Sequence, residues 1–106
     1  MTFAIRRLPA AIADLDAVWD YIAQDNPDAA DQVVARIATA TRRLADFPSS
    51  GTRRPDIHPT AYSVPMGAYL ILYRVNEEVV EVVRVLHSAR DLSLASPDFT
   101  DEASGA

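Results

Sequence analysis

The chain contains no cysteine and no lysine, and of its 106 residues only three are glycine and two are histidine. Each scarcity removes a class of chemistry. Without cysteine there is no disulfide framework and no thiolate nucleophile, which agrees with a reducing cytoplasm. His58 and His87 are far apart and make no His-x-His or His-Glu-x-x-His spacing, so no metal centre is expected. Gly51, Gly67 and Gly105 are too dispersed for a phosphate-cradling loop, and no cofactor is expected. No Gly-x-Ser-x-Gly elbow frames a nucleophile. No apolar run approaches the roughly 18 residues that a membrane span needs. Asp14, Asp16 and Asp20 break up the N-terminal region where a signal core would lie.

All ten basic residues are therefore arginines, against fifteen acids, and the net charge is −5. That balance opposes coating of nucleic acid by phosphate neutralisation, and no sequence-specific nucleic-acid binding by the chain alone is expected. The charge is uneven. Residues 97–106 carry three acids and no base, so the remainder stands at −2. The length suits one domain, expected over residues 1–95, and the acidic stretch 96–106 is expected to be a disordered tail.

The densest apolar and β-branched stretch is Tyr69 to His87, which reads as two strands joined at Asn76-Glu77-Glu78. Residues 2–8 predict a first strand, ended by Pro9. Residues 10–24 predict an amphipathic helix whose stripe is Ile12, Leu15, Trp19 and Ile22, widened by Val18. Asp14 and Asp16 suit a solvated helix start, where the macrodipole favours anions. Asn26 caps a second helix with Pro27 at its first position, running to about Ala45 with Ala30, Val33, Val34, Ile37, Thr41 and Leu44 on one face. Two helices so closely linked form an antiparallel hairpin that needs a common cover. Residues 48–60, with Pro48, Pro55 and Pro59, form a loop. Ala61–Pro65 is a short strand that Pro65 ends, and Met66-Gly67 is a turn. The resulting architecture is α+β in the order β-α-α-β-β-β. Its last three strands form an antiparallel meander, and the first strand joins an edge or inserts between strands.

Strict alternation along the last strand puts Val80, Val82, Arg84 and Leu86 on one face and Val79, Glu81, Val83, Val85 and His87 on the other. Arg84, His87 and the nearby Arg90 are the candidates for chemistry. Arginine grips phosphate or carboxylate, and histidine moves protons. The plainer reading places Arg84 and Glu81 in ion pairs at the sheet margin and His87 at the strand end.

The chain resembles the RelE/ParE superfamily of bacterial type II toxins, its ParE-like branch most closely. Three stretches carry the likeness: Ala13–Ala23 with Asn26-Pro27 and Ala29-Ala30; Leu44–Pro48 with Gly51 and Arg54; and Val64-Pro65, Gly67, Tyr69–Ile71, Tyr73-Arg74, Val83–His87 and Ala89–Asp91. Together they span roughly residues 3–92. The resemblance implies a helical hairpin on a small antiparallel sheet, and a toxin neutralised by a cognate antitoxin.

Two activities occur in that superfamily: ribosome-dependent mRNA cleavage and inhibition of DNA gyrase. The nuclease branch relies on lysines and arginines over the sheet, often with a late tyrosine. Here Leu70 stands where that branch typically carries an arginine, no tyrosine follows Tyr73, and Arg90 is the one position that still matches. The expectation is therefore a non-enzymatic gyrase inhibitor, with an mRNA endonuclease (Arg90, His87 and Arg84 as its groups) or a non-toxic binding module as alternatives. Arg84, His87 and Arg90 are the expected target contacts. Tyr21, Val34, Arg36, Arg42, Arg43 and Leu44 are the expected antitoxin contacts, while Trp19 is expected in the core.

Overall fold

The computed structural model describes residues 2–95 and 97–99. Its elements run β1 (Ala4–Arg7), α1 (Pro9–Ala23), α2 (Pro27–Arg43), β2 (Thr52–Arg53), β3 (Tyr62–Met66), β4 (Tyr69–Asn76) and β5 (Val79–His87), followed by a 3-10 turn at Leu92–Leu94. The expected α+β order is present, with one strand more than the sequence reading gave: the two-residue β2, inside the stretch read as loop. The sheet order is β1-β5-β4-β3-β2. β1 joins the edge, parallel to β5, with Ala4 opposite Val79 and Arg7 opposite Val82. The other pairings are antiparallel.

Local chemistry sets the boundaries. Pro9 opens α1. Asn26 caps α2 by accepting the Ala29 N–H at 3.1 Å, and Arg42 and Arg43 lie in the last turn, where cations suit the helix C-terminus. Pro65 does not end β3, because β2 pairs only with Tyr62 and Ser63. Pro65 therefore sits on an edge, where its missing N–H breaks no ladder. Glu77 and Glu78 make a two-residue link between β4 and β5, and Glu77 takes φ +57°.

The helices cover one sheet face. Ala11, Val18, Ile37 and Ala40 pack there with Tyr69, Ile71, Val82 and Val85. The core stripe of α1 is thus Ala11, Leu15, Val18 and Ile22, rotated from the expected one. Ile12 and Trp19 are 49% and 38% exposed. The methyl group of Ala11 lets the helix approach the sheet closely, and a face chosen for its smallest side chain leaves no signal in a search for large ones. Trp19, expected in the core, instead lies at its margin and donates its indole N–H to Asp31 on α2 at 2.8 Å.

The register shifts between Leu72 and Tyr73, so that Leu72 faces Arg84 while Tyr73 faces Val82, and Val83 is the extra residue. This bulge corrects the strict alternation expected for β5. Val80, Val82, Val85 and His87 share the helix-covered face. Glu81, Arg84 and Leu86 lie on the other, because one inserted residue exchanges the faces beyond it.

That second face is covered by irregular chain. Leu70, Leu72, Val83 and Leu86 are buried with Ala61, Ala95 and Phe99. Phe99 is 1% exposed. The expectation of a disordered tail from residue 96 is therefore corrected for Pro97–Phe99, which form a helical turn docked on the sheet. Residues 96 and 100–106, the rest of that expected tail, lie outside the described residues. No helix among the described residues is long and apolar enough to cross a membrane.

Candidate functional sites: a groove, a cleft and an ion-pair node

A groove of about 930 Å³ runs between α2 and the free side of β3. Ala35, Arg36, Thr39, Ala40 and Arg43 line it from the helix, and Val64, Pro65, Met66 and Gly67 from the strand and its turn. Phe47 stands at its rim, 59% exposed. The groove exists because β2 stops after two pairs, leaving the rest of β3 uncovered. Tyr73 fixes its end. The phenol, fully buried, donates to the Pro48 carbonyl at 2.8 Å and accepts from the Gly51 N–H at 3.0 Å, and burial raises its pKa above the ordinary value. These two bonds hold the turn after α2 against the sheet.

Of the six expected antitoxin contacts, Arg36, Arg43 and Leu44 reach this groove. Leu44 is a correction: it is 2% exposed and packs with Tyr73 and Val80, so it is floor rather than contact. The helical stripe that drew attention to Leu44 is the core stripe itself. Arg42 does not line the groove and donates to the hydroxyl of Thr39, which does, at 3.1 Å. Val34 is half-buried outside the groove. Tyr21 lies elsewhere, in a second cleft. Phe47 and the β3 edge were missed, although Phe47-Pro48 right after a helix carries a signal: a large ring at a helix exit has no stripe to join.

The second cleft, of about 370 Å³, lies between α1 and the end of β5. Tyr21, Tyr69, His87, Arg90 and Asp91 line it. The Arg90 guanidinium lies 5.6 Å from the Tyr21 ring centre, and Arg90 donates to both oxygens of Asp91 at 3.1 Å. Those hydrogen bonds hold the Asp91 carboxyl below its usual range and raise Arg90. His87 meets Tyr69 edge to face at 5.6 Å, and its Nδ1 is buried without a hydrogen-bond partner among the described residues. His87 and Arg90 thus meet in one cleft, joined by Tyr21.

Arg84 also borders this cleft, but its donors are committed. Nε and Nη2 donate to Asp14 at 2.7 and 2.8 Å, and Nη1 reaches Asp98. Asp14 in addition accepts the Val85 N–H at 2.9 Å. Asp14 is therefore no solvated end charge, as the sequence suggested, but a part-buried partner. Its hydrogen bond is the largest influence raising the Arg84 pKa, so Arg84 stays cationic. Glu81 is spent similarly, on Arg74 at 2.8 Å and Arg6 at 3.4 Å. Arg74 and Glu81 are both buried, and Arg74 Nη1 has no hydrogen-bond partner among the described residues. Among the described residues, no group of three His, Cys, Asp or Glu side chains is placed to hold a metal ion.

Comparison with known proteins agrees with this architecture. The protein Y4kP of Sinorhizobium fredii is 40% identical over 86 residues, covering 79% of this chain and 86% of its own. Toxin RelE2 of Caulobacter vibrioides is 39% identical over 80 residues, covering 76% and 89% respectively. The solved structure of the chromosomal ParDE TA system from P. aeruginosa shares the fold with a TM-score of 0.71 at 22% identity, over 81% of this chain and 96% of that one. The family model for the ParE toxin of the type II toxin-antitoxin system, parDE, matches residues 5–92. With the helical hairpin, the five-stranded sheet and this match in agreement, the chain belongs to the ParE toxin family of type II toxin-antitoxin systems.

Proposed function

We propose that this toxin acts as a non-enzymatic inhibitor of DNA gyrase in the cytoplasm and is silenced by a cognate antitoxin lying in the groove beside α2. The observation that carries the first half is the dispersal of its cationic and titratable groups. Phosphodiester cleavage needs charge stabilisation aimed at one point. Here Arg84 is paired with Asp14 and Asp98, Arg74 is buried against Glu81, and His58 stacks on Phe99 at 5.9 Å. Leu70 and Leu72 occupy the sheet positions between them and are themselves covered. Arg90, His87 and Tyr21 form a surface suited to gripping a protein.

The groove supports the antitoxin reading. Its floor is apolar, its helix side carries Arg36 and Arg43, and its other side is an open strand edge. An amphipathic acidic segment fits such a place by laying a helix or a strand along it. The solved ParDE structure is a toxin-antitoxin system by its own description.

The test is purified protein added to gyrase and relaxed plasmid. Loss of supercoiling with accumulation of linear DNA is expected; normal supercoiling at large toxin excess would sink the reading. A second reading, ribosome-dependent mRNA cleavage, draws on Arg90, whose stacking with Tyr21 is of the kind that grips a nucleic-acid base. Inducing the chain alone in a bacterial host separates the outcomes. Filamentation follows gyrase damage, translation arrest follows mRNA cleavage, and undisturbed growth follows from a binding module without toxicity.

A further inference from the structure

Among the described residues, the exposed large apolar side chains are Ile12, Trp19, Tyr21, Phe47 and Leu94. Tyr21 and Leu94 line the cleft and Phe47 the groove. Ile12 and Trp19 serve neither. They stand seven positions apart on α1, about 10 Å along its axis, on the side turned to α2, where Trp19 reaches Asp31. The two helices run antiparallel. Ala38, seven positions beyond Asp31, therefore comes level with Ile12, and Val34 lies between. The seam on the side away from the sheet thus carries two large side chains on α1 and two smaller ones on α2, all at least partly exposed.

Charge is divided along the same seam. Asp20 and Asp28 lie at the Trp19 end, and Arg42 lies at the Ile12 end. All three are exposed, and none is in an ion pair among the described residues. Arg42 bonds there only to the neutral Thr39 hydroxyl.

We propose that this face binds a second copy of the chain, the two helical hairpins packing about a two-fold axis through the seam. Half a turn about that axis carries Trp19 over the second copy's Ala38, and Arg42 over the second copy's α1 at Asp20 to Ala23. Symmetry makes each relation occur twice. A large side chain lands on a small one, and a cation on a carboxylate. A different partner would call for one member of each pair. A face that holds both, on opposite sides of one centre, is complementary to itself. The face is small: α1 has 15 residues, about 22 Å of helix, and two helices side by side are about 20 Å wide. The dimer is therefore at the low end of specific interfaces and forms in the micromolar range. The α2 groove opens toward β3 and the Tyr21–Arg90 cleft toward β5, so both stay accessible in the pair. The inference stands independently of the gyrase reading.

Sedimentation equilibrium of the full-length chain tests this, with circular dichroism verifying the fold of each variant. The wild type is expected to pass from monomer to dimer as its concentration rises. Ala38→Arg fills the place that Trp19 takes and should weaken the dimer at least about tenfold. Asp20→Arg and Arg42→Asp should each weaken it by a similar factor, since a reversal acts twice in a symmetric pair. The two reversals together restore opposite charges across the axis and should recover wild-type association to within about threefold. A wild type that stays monomeric at millimolar concentration overturns the proposal and leaves the face to a partner of another kind. A double reversal that associates no better than either single one overturns it too. Should Ala38→Arg fail to fold, the charge exchange at the two exposed positions decides alone.

Discussion

Arg84 and Asp14 stand 70 residues apart in the chain and meet as a fork, two nitrogens on two oxygens at 2.7 and 2.8 Å. The same carboxylate accepts the Val85 N–H at 2.9 Å. Its place explains this second role. β1 ends opposite Val82, so β5 has no strand neighbour on that side by Val85. A helix carboxylate supplies the missing acceptor, and an unpaired part-buried N–H would otherwise cost free energy.

Asp14→Ala should therefore remove three bonds and leave Arg84 held by Asp98 and by the Leu94 carbonyl at 3.4 Å. Both side chains keep some exposure, 14% and 16%, so solvent softens the loss. A destabilisation of about 2–3 kcal/mol is expected, below the roughly 3–5 typical of breaking a fully buried pair. Urea unfolding measures it. Asp14→Asn keeps one acceptor for Val85 and should lose less. Equal losses for the two variants would show that charge alone matters.

Tyr73 and Gly51 are a matched pair. A Cβ on Gly51 would lie 2.6 Å from the Tyr73 hydroxyl and 2.9 Å from the Ser63 carbonyl. Gly51→Ala should cost about 1–3 kcal/mol by overpacking. Tyr73→Phe should cost about 1–3 kcal/mol by stranding the Pro48 carbonyl and the Gly51 N–H. The double variant should fall short of the sum, because the phenylalanine removes the closest clash. The sign of the pH dependence follows from the raised phenol pKa. The neutral form is favoured in the folded state, so its contribution is whole below the ordinary value of 10.0 and is lost as pH climbs through the higher folded value. Stability of the wild type should drop in that alkaline window, and Tyr73→Phe should lack that component.

Element order was readable from the sequence because it rests on strong local signals: Pro9, the Asn26-Pro27 cap, and the β-branched arms around Glu77. Side-chain direction was not. The β5 bulge at Val83 has no signature in a run of valines, and it alone decides that Arg84 leaves the face of Val80 and Val82 while His87 joins it. The core stripe of α1 escaped because its most buried member is Ala11, at 0% exposure. The docking of Pro97–Phe99 escaped because these residues sit in an acidic stretch, and the partners Arg84 and His58 are brought to them only by the folded sheet. Three of six expected antitoxin positions reach the groove, since helical periodicity locates the apolar face without saying which edge stays open.

Glu77 takes φ +57°, a left-handed conformation that costs a residue with a Cβ. Glu77→Gly should relieve it, and Glu77→Asn should do so in part, since both residues accept that region readily. A gain of about 0.4–1 kcal/mol is expected, read as a higher urea midpoint with unchanged slope. Glu77 is exposed, so lost packing does not offset the gain.

Arg36 and Arg43 line the groove seven positions apart on α2, about 10 Å along the helix axis. Reversing either charge should weaken antitoxin binding by about ten- to a hundredfold, mainly through faster dissociation. Salt should weaken the wild-type complex and the reversed variants unequally, the wild type more. Melting temperature should barely move, because both side chains are exposed. An unchanged affinity for the double reversal would place the antitoxin elsewhere on the toxin.

Arg90 is the residue on which the two target readings divide. Its side chain is 55% exposed, lies over the Tyr21 ring and is steered by Asp91. Arg90→Ala should leave the fold intact, since no buried group depends on it. If the toxin grips gyrase through this cleft, the variant should need at least about tenfold more protein to block supercoiling, a loss near 1.4 kcal/mol. Tyr21→Ala should lose a similar amount, because the ring holds the guanidinium plane. Arg90→Lys should recover only part of it, as a lysine keeps the charge but not the planar fork. If the protein instead cleaves mRNA, Arg90→Ala should abolish reporter-transcript cleavage while supercoiling is never affected by any of the three. Tyr21 makes the comparison sharp: a contact surface loses as much with Tyr21→Ala as with Arg90→Ala, whereas a catalytic group depends on charge at one point, so that Tyr21→Ala would then retain cleavage that Arg90→Ala abolishes.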